Sequence, residues 1–288
     1  MEAIVSYKRI KQDIEKTIFK CLELLNLKIK PKKVLLKPNL TIGGKPGSGV
    51  ATNVNTLKAI IRWLEEQGKT AYVAEGSGGE STKDAFKNSL YNKLGVELID
   101  LNEDKFVEVR IKNALEWKKI KIAKTFLDAK YVINIPVPKC HSLAGTTLGI
   151  KNLMGVMEPE PKTGWNKYLI HKEYTLGLTE DRYAKRLFER RLIDLLRVKK
   201  INLTIIDGTY GMEKCEVGGN PVKTDFFMAS EDIIAVDIFC SKLMGFDPKK
   251  IYYLELAQKL LGKREIKIVG DAPKKFNFEK PKSWLSMI

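Results

Sequence analysis

Between Lys33 and Leu101 the chain alternates twice between a short apolar run and a longer amphipathic one, with glycine at most junctions. Lys33–Leu40 reads as a strand that runs into a glycine-rich loop, Gly43 to Gly49. Asn53–Gln67 then carries apolar residues at helical spacing and is closed by Gly68. Strand Thr70–Glu75, the loop Gly76–Glu80, a helix over Thr82–Leu94 closed by Gly95, and strand Val96–Leu101 repeat the pattern. Parallel strands need crossover connections, the crossovers here are helices, and a sheet built this way is covered on both sides. The expected fold is α/β: a mainly parallel sheet with helices on both faces, Rossmann-like in plan.

The remaining patterns extend that plan. Apolar spacing at Ile10, Ile14, Ile18, Cys21, Leu22 and Leu25 predicts an opening amphipathic helix. Alternation in Phe106–Ile111 and Lys118–Lys124 predicts a small β-hairpin, and Tyr131–Val137 a central strand. Helices are expected at Arg182–Arg197, Ile233–Leu243 and Ile251–Leu261, with strands at Leu203–Asp207, Phe226–Ala229 and Glu265–Val269. Weak periodicity, Pro159, Pro161, Gly164 and Gly177 mark 157–180 as a lid-like insertion. With 288 residues and no internal repeat or low-complexity linker, a single domain over 1–288 is expected.

The polar residues that fit poorly in a core cluster just past predicted strand ends: Lys37 and Asn39, Glu75, Lys139 and His141, Asp207. Open α/β sheets bind ligands at that edge. The run Ile133 to Gly155 is the richest. Its strand ends in Pro-Lys-Cys-His and is followed within a dozen residues by Thr146, Thr147, Lys151 and Asn152. It holds one of the two histidines, and an unperturbed imidazole titrates near neutrality. Lys139, His141 and Lys151 are therefore the catalytic candidates. Lys37, Asn39, Thr146, Thr147, Asn152 and the second histidine, His171, are substrate-binding candidates, and Glu75 with Asp207 is the candidate pair for a divalent metal or for orienting substrate. Asp232 reads as a helix cap, and Asp237 as a buried charge with a partner.

Two glycine loops fall short of familiar cofactor motifs. Gly44-Lys-Pro-Gly-Ser-Gly49 is followed by Val50 and Ala51 where a phosphate-binding loop needs Lys and Ser or Thr. Gly76-Ser-Gly-Gly-Glu-Ser81 places serine where a dinucleotide fingerprint needs its third glycine.

The formal charge is +16, from 51 Lys and Arg against 35 Asp and Glu. Lysines spread from end to end match a thermophile-like, solvated surface. The other meaning is attraction to an anionic partner, either a phosphorylated metabolite or nucleic acid. For the latter, Arg182, Arg186, Arg190 and Arg197 fall within an arc of roughly 80° on one helix face, given about 100° per residue. The four cysteines are scattered without a Cys-x-x-Cys pair, so no iron–sulfur cluster is expected within the chain. No apolar run approaches the roughly 18 residues of a membrane span, and the first residues lack a secretory layout. A soluble, cytoplasmic protein is expected.

Lys37-Pro38-Asn39, Glu75-Gly76, Pro138-Lys139-Cys140-His141 with Thr147, Lys151-Asn152 and Gly155, Asp207-Gly208, Gly218 with Pro221, and Asp232 through Asp237 resemble, in that order, the domain-of-unknown-function family 362. Some members carry an appended ferredoxin-like segment with cysteine-ligated iron–sulfur clusters, which is not found in this sequence. A fainter similarity, in the opening strand–loop–helix order, is to nickel-cofactor lactate racemases. The combined expectation is an enzyme acting on a small phosphate- or carboxylate-bearing substrate, with lysines as anion clamps and His141 as general acid or base. The alternatives are a nucleic-acid-binding protein led by the arginine stripe and a redox accessory protein that docks to an iron–sulfur partner.

Overall fold

The structure, a computed structural model, describes residues 1–160, 168–175 and 181–286. The strands are β1 (Glu2–Arg9), β2 (Lys33–Pro38), β3 (Thr70–Glu75), β4 (Glu97–Asp100), β5 (Phe106–Arg110), β6 (Lys119–Ala123), β7 (Val132–Ile135), β8 (Lys139–His141), β9 (Gly145–Thr147), β10 (Leu203–Glu213), β11 (Asn220–Ser230) and β12 (Glu265–Gly270). The helices are α1 (Ile14–Glu23), α2 (Val54–Glu66), α3 (Thr82–Asn88), α4 (Lys124–Asp128), α5 (Gly149–Asn152), α6 (Lys172–Thr175), α7 (Arg182–Leu196), α8 (Ile233–Leu243), α9 (Tyr252–Leu261) and α10 (Lys282–Leu285).

The main sheet runs β12-β1-β11-β10-β7-β2-β3-β4, and β11 alone is antiparallel to its neighbours along that path. A short antiparallel pair, β8–β9, branches from β10, and β5–β6 forms a separate hairpin, as the alternation predicts. The fold is thus mixed α/β with a mainly parallel central sheet.

Successive strand residues face opposite sides of a sheet. Val34, Leu36, Ile205 and Phe227 accordingly enter one core with Ile18 and Leu22 of α1 and Leu57, Ile60 and Leu64 of α2. Leu35, Ile206, Phe226 and Met228 enter a second with Phe188 and Leu192 of α7, Val236 of α8 and Leu254 of α9. Each such side chain contributes about 1.5–3 kcal/mol by leaving water, so the central strands are nearly continuous apolar runs.

Several elements depart from expectation, among them α3, which ends at Asn88, and β11, which begins at Asn220. The chain opens with a strand, β1, whose Ala3, Val5 and Tyr7 alternate into the core. The first helix begins only after Asp13, whose side chain accepts from the Lys16 amide. Ile10 lies outside that helix because the cap fixes its start. β10 continues through Glu213, since β11 offers a ladder as far as Asn220 and a bulge between Gly208 and Tyr210 absorbs the irregularity. The segment after the central strand holds the β8–β9 hairpin before its helix.

Of the expected lid, Met157 bridges to Ile122 and α6 is formed, while residues 161–167 and 176–180 lie outside the described residues. Among the described residues no helix is long and apolar enough to cross a membrane.

Candidate functional site

A small cavity of about 20 Å³ opens beyond the C-terminal ends of β2 and β3. It is lined by Asn39, Leu40 and Thr41 after β2, Glu75 and Gly76 at the end of β3, Thr147 of β9, and Lys151, Asn152, Met154 and Gly155 on and after α5. A water needs about 10–15 Å³ measured this way, so the enclosed space itself holds one or two water-sized groups. Residues far apart in sequence thus meet at one rim.

The β8–β9 register decides which side chains reach this rim. Lys139 pairs with Thr147 and His141 with Gly145, while Cys140 pairs with Thr146 between them. Alternation sends Thr147 to the cavity and Thr146 to the opposite side, where its hydroxyl meets Ser241 Oγ at 3.3 Å and Tyr253 Oη at 3.0 Å. Thr146 is a core residue, which corrects its assignment as a substrate ligand.

α5 is too short to hold itself and has no side-chain cap of its own. Asp237 of α8 supplies one, accepting from the Gly149 amide at 2.7 Å and the Ile150 amide at 2.9 Å. This is the partner expected for that buried charge. Burial still pushes the Asp237 carboxyl up to about 7 against those two bonds. The helix carries Lys151 and Asn152 in its single turn. After it, Gly155 packs so closely on Glu75 that a Cβ would run into Oε1.

Three of the buried lysines, Lys37, Lys139 and Lys151, stand in different settings near this rim. Lys37 Nζ lies 2.6 Å from Glu75 Oε2 with both groups out of solvent, so it is neutralised within the protein and is no direct clamp on a ligand. Lys139 Nζ donates to the Val50 carbonyl at 2.8 Å. Burial first, and then the like charge of Lys151, bring the Lys139 ammonium down to about 7, with Glu216 and Glu75 opposing. Lys151 is brought down to about 8 by burial, opposed by Glu216. Its ammonium sits 5.9 Å from the Phe188 ring and, among the described residues, has no hydrogen-bond or ion-pair partner.

His141 is buried beside the same ring, 5.7 Å from Phe188 and 6.1 Å from His171 between centroids. Its Nδ1 accepts from the Leu143 and Ala144 amides at 3.0 and 3.1 Å, and Nε2 lies 3.3 Å from Glu216 Oε1. Two amide donors on Nδ1 assign the exchangeable hydrogen to Nε2. His171, buried and 4.8 Å from Phe188, joins the cluster despite its distance in sequence.

Asn39 and Asn152 belong to a buried amide network. Asn39 Nδ2 donates to Asn152 Oδ1 at 2.9 Å, and Asn152 Nδ2 donates to Asn134 Oδ1 at 2.8 Å and the Pro38 carbonyl at 3.1 Å. Asn39 Oδ1 and Thr147 Oγ1, both buried, are without partners among the described residues.

Asp207 stands apart from the cavity. Its Oδ2 accepts from the Asn53 amide at 2.7 Å, at the start of α2, and Oδ1 from Thr209 Oγ1 at 2.7 Å. Glu75 is engaged by Lys37 and by the Gly76 amide. Among the described residues no three His, Cys, Asp or Glu side chains gather as metal ligands. Of the expected Glu75–Asp207 pair, Glu75 lines the cavity and Asp207 does not, and each is engaged by donors of the protein.

The C-terminal half of the arginine stripe is taken up internally. Arg190 pairs with Glu116 and donates to the Leu115 carbonyl at 2.9 Å. Arg197 donates to the Asn113 carbonyl at 2.6 Å, while Arg182 and Arg186 stay exposed, Arg186 lying over the Tyr252 ring at 5.6 Å.

Sequence reasoning missed Glu216, Asn134 and Phe188. Asn134, a lone amide between apolar residues of β7, carried a readable signal. Glu216 lies in a turn rich in glycine and had none.

A thylakoid-associated protein of Synechocystis sp. is 25% identical over 238 residues, covering 81% of this chain and 69% of the relative. Among solved structures, the lactate racemase apoprotein of Thermoanaerobacterium thermosaccharolyticum superposes with a TM-score of 0.53 at 11% identity. The match covers 85% of this chain and 57% of the racemase. That likeness is one of fold, and the chain spans little more than half of the racemase's length. The family model described as "Domain of unknown function (DUF362)" matches residues 34–242, and the chain belongs to that family.

Proposed function

We propose that the rim cavity binds a small carboxylate- or phosphate-bearing substrate and that the buried lysines beside it carry charge recognition and proton transfer. The observation that carries this reading is Lys151: a buried ammonium with no ion-pair or hydrogen-bond partner among the described residues, on which Glu216 acts only at a distance. An uncompensated buried charge costs several kcal/mol, which the protein relieves by losing the proton or by admitting an anion. Thr147, with its hydroxyl still able to donate, stands on the same wall.

The topology supports the location. From β2 the chain moves outward through β3 and β4 and then returns to β7 on the other side of β2. In a Rossmann-like plan that reversal is where ligands sit, outside the strand ends.

In this reading Lys151 is the anion clamp, and Lys139 exchanges its proton close to neutrality. The acid–base role expected of His141 passes largely to Lys139, because Nδ1 is engaged by backbone amides. His141 contributes Nε2–H as a fixed donor and holds the turn at 142–144.

The test is binding of inorganic phosphate and of acetate, measured by calorimetry for the wild type and for Lys151→Met. A lost charge-assisted hydrogen bond of about 1.5–3 kcal/mol predicts roughly 10- to 150-fold weaker binding. Unchanged affinity in a folded Lys151→Met protein would end this reading.

A further inference from the structure

The asparagine network has a direction, and the direction constrains what the cavity accepts. It is anchored on two backbone carbonyls, which can only accept. Asn134 Nδ2 donates to the Gly149 carbonyl at 3.0 Å, so Asn134 must present Oδ1 to its other neighbour. That oxygen receives Asn152 Nδ2, which also donates to the Pro38 carbonyl. Asn152 therefore turns Oδ1 towards Asn39 and receives Asn39 Nδ2. Each amide is polarised the same way, and none can flip without setting donor against donor or carbonyl against carbonyl.

The last oxygen of the relay, Asn39 Oδ1, is the atom left without a partner among the described residues, on a side chain that is only 4% exposed and lines the cavity. A buried carbonyl oxygen without a donor is costly, and the site is arranged to receive one. The same cavity presents the Lys151 ammonium and the Thr147 hydroxyl, which is likewise unpartnered on a side chain 4% exposed.

We infer that the ligand is a small hydroxylated oxyanion, its anionic group on Lys151 and Thr147 and its hydroxyl donating to Asn39 Oδ1. This deepens the reading above and rests on it. An acceptor in the wall makes the cavity discriminate against anions of equal charge and size that lack the hydroxyl. The small enclosed volume takes only the polar end of a ligand, so the remainder of a larger one would lie outside it.

The experiment compares matched pairs on the wild-type protein: glycolate with acetate, and glycerol 3-phosphate with propyl phosphate. At least about tenfold tighter binding of the hydroxylated member of a pair is expected from one buried hydrogen bond and the penalty avoided. The two pairs also tell whether the anionic group is carboxylate or phosphate. Asn39→Ala, checked for folding by circular dichroism, should bring the two members of the better pair to similar affinity.

Equal affinities within both pairs in the wild type would overturn this inference while leaving anion binding at Lys151 in place. A preference that survives in folded Asn39→Ala would overturn the assignment to Asn39. Failure of every anion to bind would remove the underlying reading as well.

Discussion

The arginines of α7 and the lysines of the sheet rim are both rows of cations, yet the fold treats them in opposite ways. Arg190 and Arg197 reach the 113–117 loop, where Glu116 and backbone carbonyls receive them, and Arg191 pairs with Glu173. Lys151 lies deeper and has no such partner among the described residues. Lys37, one strand away, shows that the fold can neutralise a buried lysine, by placing Glu75 against it. Partnered cations hold elements together, whereas a buried cation without a partner carries a cost that a ligand can remove.

Breaking a partnered lysine should have the largest effect. Glu75→Ala leaves Lys37 charged and buried, and a loss of about 3–5 kcal/mol in denaturant unfolding is expected. A loss below 1 kcal/mol would mean that the pair is not what neutralises Lys37.

The unpartnered lysine should behave in the reverse sense. Lys151→Met is expected to raise stability by about 1–2 kcal/mol at neutral pH while weakening anion binding, the mark of a residue kept for function. The sign with pH follows from its lowered value. In the folded protein Lys151 releases its proton near 8, whereas unfolded lysine holds it to about 10.4. The destabilisation is full below about 8 and is relieved as pH rises from there towards the unfolded value. Burial raises Asp237 to about 7 and Glu189 to about 8, and both titrate in the opposite sense. The informative quantity is therefore the difference between wild type and Lys151→Met. Its stability gap should narrow between pH 7.5 and 10, and a constant gap would contradict a buried, uncompensated ammonium.

Arg190→Ala should have the smallest effect. Its ion pair is partly exposed, so about 1 kcal/mol or less is expected, with anion affinity unchanged. A salt-sensitive loss of RNA binding on that substitution would return the arginine face to the centre of the function.

Local chemistry made much of the fold legible. Strands Thr70–Glu75 and Glu265–Gly270, helix Ile233–Leu243 and the Phe106–Arg110 hairpin follow from apolar period and glycine stops, signals that act over a few residues. Lys139, His141, Lys151 and Asn39 could be picked out because charged and amide groups are rare beside buried strands. β1 was harder, since a terminal strand is stabilised by β11 and β12, which lie more than two hundred residues away. The arginine stripe was visible as a face, but the residues opposite it were not. Glu116 and the carbonyls of Asn113 and Leu115 arrive through a loop whose course no periodicity encodes.

The site divides in the same way. The chain by itself determined that strand ends would carry lysine, asparagine and histidine, because secondary structure depends on neighbours in sequence. Only the tertiary structure decided that Thr147 faces the cavity while Thr146 turns away, that Glu75 answers Lys37, and that a chain of three asparagines leaves one carbonyl oxygen of a cavity-lining residue without a partner among the described residues. Hydrogen-bond direction and charge compensation depend on which groups meet across the sheet, and those partners come from strands and helices that are distant along the chain.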